Sequence, residues 1–129
     1  MSDVLDDTRS KTLDPDLKDL IDTVDRSKKG YIFCAACEHV IGHVDDRVDI
    51  MGAHEHSMTN PYGVTHTFGC YAEAPGVDLF GQPTAADTWF PGFSWRLACC
   101  EGCGQHMGWM FERNTESFCG LIVSQIRTG

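Results

Sequence analysis

The chain has 129 residues, 42% of them hydrophobic, and a formal net charge of −9. That length holds one domain with a modest core plus an arm, and a core of that size gains much from a structural metal. No apolar run approaches the roughly 18 residues of a membrane-spanning helix, and the N-terminus lacks a basic region followed by an apolar stretch, so a soluble, cytoplasmic protein is expected. Beyond residue 30, eleven acids face only four cations, Arg47, Arg96, Arg113 and Arg127. Such a surface repels phosphate backbones, and neither nucleic acid nor membrane is an expected partner.

Residues 1–29 form an acidic arm without aromatics or cysteines, distinct from a domain over 30–129. Asp14 suits a helix N-cap and Pro15 the first helical position, and Leu17, Leu20, Ile21 and Val24 follow at helical spacing. The arm therefore reads as a short amphipathic helix ending near Arg26. A disordered arm is the alternative, because so short a helix is marginal alone in water.

From Gly30 the texture changes to short β-type runs divided by Gly and Pro. Strands are expected over 31–33, 64–71, 77–80, 93–99, 107–112 and 118–125. Asn60-Pro61-Tyr62-Gly63 and Phe90-Pro91-Gly92-Phe93 read as turns in which glycine takes a positive φ. These runs predict an all-β domain of two antiparallel sheets.

Four of the seven cysteines stand in two C-x-x-C pairs, Cys34/Cys37 and Cys100/Cys103. Each pair can bring two thiolates to one ion, and two pairs complete a closed tetrahedral site for a single structural Zn²⁺. A redox-active dithiol is the rival, but two separate pairs favour a shared metal, and metal spacing together with an odd count suits a reducing compartment. Four thiolates leave zinc no open position for water, so the metal is structural. Cys99 is expected to point away from the site as a small buried hydrophobe.

The segment from Trp89 to Trp95 bends through Pro91-Gly92, an arrangement that lets its two indoles face one another. Trp109 and Phe111 lie two apart and share a strand face. Spacing alone leaves two readings open, a ligand cage and ordinary core aromatics. His54 and His56 have the spacing of a metal pair, but no further ligand completes a set and they read as loop residues at the rim. His66 and His106 read as packing histidines.

The motifs Cys34-x-x-Cys37, His54-Glu55-His56, Asn60-Pro61-x-Gly63, Trp89-Phe90-x-Gly92-x-x-Trp95, Cys100-x-x-Cys103, His106-x-Gly108-Trp109 and Phe118-x-Gly120-Leu121 occur in this order. Together, over about residues 30–127, they resemble the CULT domain, the thalidomide-binding domain of cereblon, which also occurs as stand-alone bacterial proteins. The resemblance implies a zinc-pinned β-tent of two antiparallel sheets with a small tryptophan-lined pocket. It implies that Trp89, Trp95 and Trp109 form walls, Phe111 the floor, and Asn60 with Pro61 the loop over the mouth. Main-chain groups from Asp87 to Trp89 would bond an imide. Asp87 stands where the family often has a histidine or an aromatic, and Cys119 where an aromatic is common.

Three function classes follow. The leading one is a noncatalytic module that binds cyclic imides and ureides, such as glutarimide, succinimide, thalidomide-type drugs and uracil-like rings, free or at a protein C-terminus. The second is an aromatic cage for methylated ammonium groups, favoured by Asp87 and by the acidic surface. The third is an enzyme resembling methionine sulfoxide reductases with Cys119 as nucleophile, although the Arg-x-Cys-x-Asn type of surrounding is absent.

Overall fold

Antiparallel pairing organises residues 29–128, the part of the chain that the computed structural model describes. The helix expected between Asp14 and Arg26 lies outside the described residues. Nine strands follow in chain order: β1 Tyr31–Cys34, β2 Val40–His43, β3 Glu55–Thr59, β4 Thr65–Tyr71, β5 Val77–Thr84, β6 Ser94–Cys100, β7 His106–Arg113, β8 Glu116–Ile122 and β9 Ile126–Thr128. They build a three-stranded sheet, β2-β1-β9, and a six-stranded sheet, β3-β4-β8-β7-β6-β5, so the all-β, two-sheet expectation holds. No helix among the described residues is long and apolar enough to cross a membrane.

The alternation of side chains along a strand gives the six-stranded sheet two different faces. One face carries Tyr71, Ala98, Cys119 and Leu121, which pack with Ile32 and Ile41 of the small sheet and with Met107 into one core. The other carries Phe68, Cys70, Trp109, Phe111, Phe118 and Ile122 and is covered by Phe90 and Phe93 from the loop before β6. Because both faces are covered, central strand β8 is buried continuously from Phe118 to Ile122, while edge strand β3 alternates. Burial and position in the sheet thus determine which strands show a clean period of two.

Register places the site. Across β6 and β7, Trp95 stands opposite Phe111 and Leu97 opposite Trp109, so these four side chains share one face. Gly120 of β8 is opposite Trp109. A Cβ at Gly120 would lie 2.7 Å from a ring carbon of Phe68, so the absent side chain makes room for that ring beneath Trp109.

Three strands differ from expectation. Residues 118–125 are not one strand: β8 ends at Ile122, a 3-10 turn spans Val123–Gln125, and the chain crosses to pair β9 with β1 in the other sheet. β2 is too short and interrupted by Gly42 to show a periodic signal. His56 is not in a loop, since Glu55–Thr59 pairs along β4, whereas His54 lies in the bend just before that strand. The strand's alternate exposed residues are polar, as an edge strand requires.

Candidate functional site

Two equivalent knuckles bring four thiols together. The Glu38 amide donates to the Cys34 carbonyl and the Cys34 amide to the His39 carbonyl, both at 2.8 Å. In the second knuckle the Gly104 amide donates to the Cys100 carbonyl and the Cys100 amide to the Gln105 carbonyl, again at 2.8 Å. Positive φ angles at Glu38 (67°) and Gly104 (79°) close the two turns alike. The Sγ atoms of Cys34, Cys37, Cys100 and Cys103 all lie within 4.8 Å of one another.

The spacing fits a tetrahedral ion. Cys34 and Cys103 are 3.7 Å apart at sulfur and Cys37 and Cys100 3.6 Å. A tetrahedron with metal–sulfur bonds of about 2.3 Å has edges of about 3.8 Å, whereas a disulfide needs about 2.05 Å. Burial opposes ionisation of Cys34, yet amide bonds from Cys37 and Ala36 and the neighbouring thiols outweigh it and hold that thiol below its ordinary value. Although the His39 amide favours the Cys37 thiolate, burial and the three other sulfurs push Cys37 up to about 12. The cluster thus resists carrying four negative charges without a cation at its centre. The four cysteines form a candidate metal site, consistent with zinc, that ties the end of β1 in the small sheet to the end of β6 in the large one.

Cys99, next to this cluster, is half-buried rather than buried as expected. It alternates with the buried Ala98 and Cys100, and an irregularity in β7 sets it opposite His106.

On the aromatic face, Asn60, Pro61, Asp87, Trp89, Trp95, Trp109 and Phe111 all line one cavity of about 520 Å³. Ligand cavities commonly span about 300–1,000 Å³. Trp89 meets Trp109 edge to face, with centroids 4.9 Å apart and planes at 82°. The partner of Trp89 is thus Trp109, not Trp95 across the Pro91-Gly92 turn as the spacing suggested. Phe68 stacks on Trp89 at 5.6 Å and meets Trp109 edge on, so one buried ring supports two walls.

Indole N–H groups orient two of the walls. Trp95 Nε1 donates to the Ala86 carbonyl at 2.8 Å, and Trp89 Nε1 donates to the Thr59 carbonyl at 3.2 Å. The second bond links the 85–93 loop to the residue before Asn60. Asn60 in turn holds the covering loop, because its Oδ1 accepts from the amides of Tyr62 (2.9 Å) and Val64 (3.0 Å) while Gly63 has φ 84°. The turn at Gly92 closes as expected, with φ 89° and the Phe93 amide donating to the Phe90 carbonyl at 2.9 Å.

Sequence reasoning missed several groups of this site. His66 and His106 line the cavity, as do Tyr62 and Leu97. Each imidazole meets Trp109 edge on with centroids 5.1 Å apart. His106 Nε2 lies 2.9 Å from the Gly108 carbonyl; burial, with His66 nearby, holds this ring below the ordinary imidazole value even though that bond works the other way. Alternation along β7 puts His106 on the face opposite Trp109, and only the irregularity that pairs Ala98 with Gly108 but Cys99 with His106 brings it to the cavity, so no local pattern carried it. His66 and Phe68, two apart on β4, did share a readable face.

His54 and His56 direct ring nitrogens to two different backbone carbonyls. His54 Nδ1 lies 3.2 Å from the Val48 carbonyl and His56 Nε2 3.0 Å from the Ala53 carbonyl, and both rings pack on aromatics. Cys119 is fully buried, and burial, with Cys70 adding to it, pushes its thiol up to about 12. A second, broader hollow of about 740 Å³ lies beyond Phe90 and Phe118. Its one guanidinium, Arg113, is already stacked on Phe93 at 4.4 Å and bonded to Glu116 at 2.7 Å.

No family model matches the chain. Among curated proteins it is similar to protein cereblon of Xenopus tropicalis, 37% identical over 76 residues, which are 55% of this chain and 17% of that protein. Protein cereblon of Danio rerio is 40% identical over 56 residues, 43% of this chain and 13% of that protein. Protein cereblon of Drosophila melanogaster is 30% identical over 106 residues, 75% of this chain and 18% of that protein. The matched segment is thus less than a fifth of each of these relatives. With two antiparallel sheets joined at a four-cysteine cluster, and similarity to the cereblons of these vertebrates and flies, the chain carries a cereblon-type domain.

Proposed function

We propose that this domain is a noncatalytic binding module for small cyclic imides and ureides, held together by one structural Zn²⁺ on Cys34, Cys37, Cys100 and Cys103. The observation that carries the reading is the convergence of three indoles and Phe111 on one cavity, with an acidic rim and no cation lining it. Flat rings fit between indole faces, and a neutral ligand enters without the cost of burying a charge.

An imide presents an N–H flanked by two carbonyls. It needs an acceptor and a donor close together on an otherwise apolar wall. Among the described residues, no hydrogen bond engages the Asp87 carbonyl or the Trp89 amide, which lie within three residues of chain beside the cavity. The neighbouring Thr88 amide is occupied by the Ala85 carbonyl at 3.3 Å. A free carbonyl and a free amide on either side of an occupied one match the imide edge. The ring is taken up free or as the modified C-terminus of a protein.

The second reading, a cage for methylated ammonium groups, draws on Asp87 at the rim. The sulfoxide reductase reading draws on nothing comparable, since a nucleophile must be ionised and accessible and the Cys119 thiol is neither. Fluorescence titration with uracil, glutarimide and succinimide, set against choline and a trimethyllysine peptide, tests the proposal. Saturable quenching or a shift by the rings is expected. Saturable binding of the ammonium compounds with no response to any ring would replace the proposal by the cation cage.

A further inference from the structure

The cavity has one formally charged lining residue, and it is Asp87. The adjacent cation on β6, Arg96, bonds Glu112 at 3.3 Å and is not among the lining residues. The two imidazoles that line the wall, His66 and His106, face Trp109, and no bond joins either to Asp87.

The local backbone holds residue 87 at the rim. Asp87 has φ 56°, a left-handed conformation that Asp and Asn tolerate better than most residues. The Ala86 amide donates to Thr84 Oγ1 at 3.1 Å, and the Ala86 carbonyl takes the Trp95 indole N–H at 2.8 Å. The turn that presents Asp87 is therefore anchored to a wall of the cavity itself. Its side chain is exposed and has no ion-pair partner among the described residues.

We infer that Asp87 selects, among ring ligands of this cavity, those whose substituent at the mouth carries a positive charge. The inference rests on the imide reading above and assigns the ligand class more narrowly: a cyclic imide or ureide bearing an ammonium or guanidinium arm, discriminated against a carboxylate-bearing one. The apolar walls hold the uncharged ring, and the arm leaves past the rim, where Asp87 is the charge it meets. A cation there loses little hydration and gains a carboxylate neighbour; an anion meets repulsion from Asp87 and from the acidic surface around it. Beyond residue 30 the eleven acids outnumber the four arginines, so the distant field has the same sign as the local one.

The probes are three glutarimides with the same three-carbon arm, ending in trimethylammonium, methyl or carboxylate. Each is titrated by tryptophan fluorescence at low and high salt with the wild type and with Asp87→Asn, a substitution compatible with the left-handed backbone. An exposed ion pair supports roughly 2- to 5-fold in affinity. The expected order is therefore cation above neutral above anion, spanning about tenfold at low salt and narrowing as salt is added. In Asp87→Asn the span between cation and anion is expected to fall below about threefold. Equal binding of all three by the wild type overturns the inference and leaves the imide reading standing. A span that survives Asp87→Asn overturns it too, assigning the preference to the general field. No response to any of the three removes the imide reading, and this inference with it.

Discussion

Trp89 and Trp109 meet edge to face, with ring centroids 4.9 Å apart and planes at 82°, although one lies in a loop and the other on a central strand. The loop indole is held by its bond to the Thr59 carbonyl, and the strand indole by its register opposite Leu97 and Gly120. The corner they form is set before any ligand arrives, which reduces the ordering cost of binding.

Removing a tryptophan wall should therefore cost affinity while leaving the cysteine cluster assembled, with a stability cost as well at the buried Trp109. Truncation of a well-packed aromatic anchor commonly costs about 2–4 kcal/mol, so Trp95→Ala and Trp109→Ala are expected to weaken imide binding by roughly 30-fold to 1000-fold. Metal content measured on the same samples should stay unchanged, since the cysteine cluster lies at the far end of β6 from Trp95. Unaltered affinity in both variants would show that the ring binds elsewhere.

Metal removal is expected to unfold the domain. In small zinc domains the ion contributes about 10–16 kcal/mol, as much as or more than the whole stability of a fold this size. Elemental analysis should give one zinc per chain, and Cys100→Ser should lose it while Cys99→Ser keeps it. Because the ligands bind as thiolates, acid is expected to release the metal and melt the fold together. A metal-free protein with an unchanged melting temperature would contradict this assignment.

Much of this arrangement was legible in the sequence, for reasons that differ by element. Cys34, Cys37, Cys100 and Cys103 announce themselves because a metal site demands fixed residue types at fixed local spacing. Trp89, Trp95, Trp109 and Phe111 could be named, yet their pairing could not, because edge-to-face geometry depends on which loop folds over which strand. The boundary at Ile122 was hidden since both 118–122 and 126–128 are strand-like, and only the competition between two sheets for partners separates them. Phe68, the ring beneath Trp89, was read simply as part of a strand; its role depends on Gly120 of the neighbouring strand β8, far away in sequence, which no local pattern carries.

That dependence can be tested. A Cβ at Gly120 would lie 2.7 Å from Cδ2 of the fully buried Phe68 and 3.3 Å from Cε2 of Phe111. Both rings are buried among other aromatics, so Gly120→Ala should destabilise the domain by about 1–3 kcal/mol, as overpacking of a core does. Displacing Phe68 also disturbs its stack on Trp89, so ring affinity should fall together with stability. Denaturant unfolding and a binding titration of the same variant measure both. A variant as stable as wild type would show that the rings yield more easily than their burial suggests.

The buried thiols Cys70 and Cys119 give the fold an alkaline limit. Burial pushes both up to about 12, with the Asp49 charge adding to the effect at Cys70 and Cys70 itself adding to it at Cys119. In the unfolded chain a thiol ionises near pH 8.5. The native state therefore binds more protons than the unfolded state between about pH 8.5 and 12, so stability is full below that window and falls as pH rises through it. Each thiol contributes a slope of about 1.4 kcal/mol per pH unit within the window. Cys119→Ala removes one such group at the cost of a small cavity, so the variant should be less stable than wild type at pH 7, by about 1–2 kcal/mol. The deficit should shrink and then reverse as pH is raised toward 11. Denaturant melts of both proteins at pH 7, 9, 10 and 11 with zinc present give the comparison. A deficit constant across that range would mean that Cys119 ionises as readily in the folded protein as in the unfolded chain, and would restore it as a candidate nucleophile.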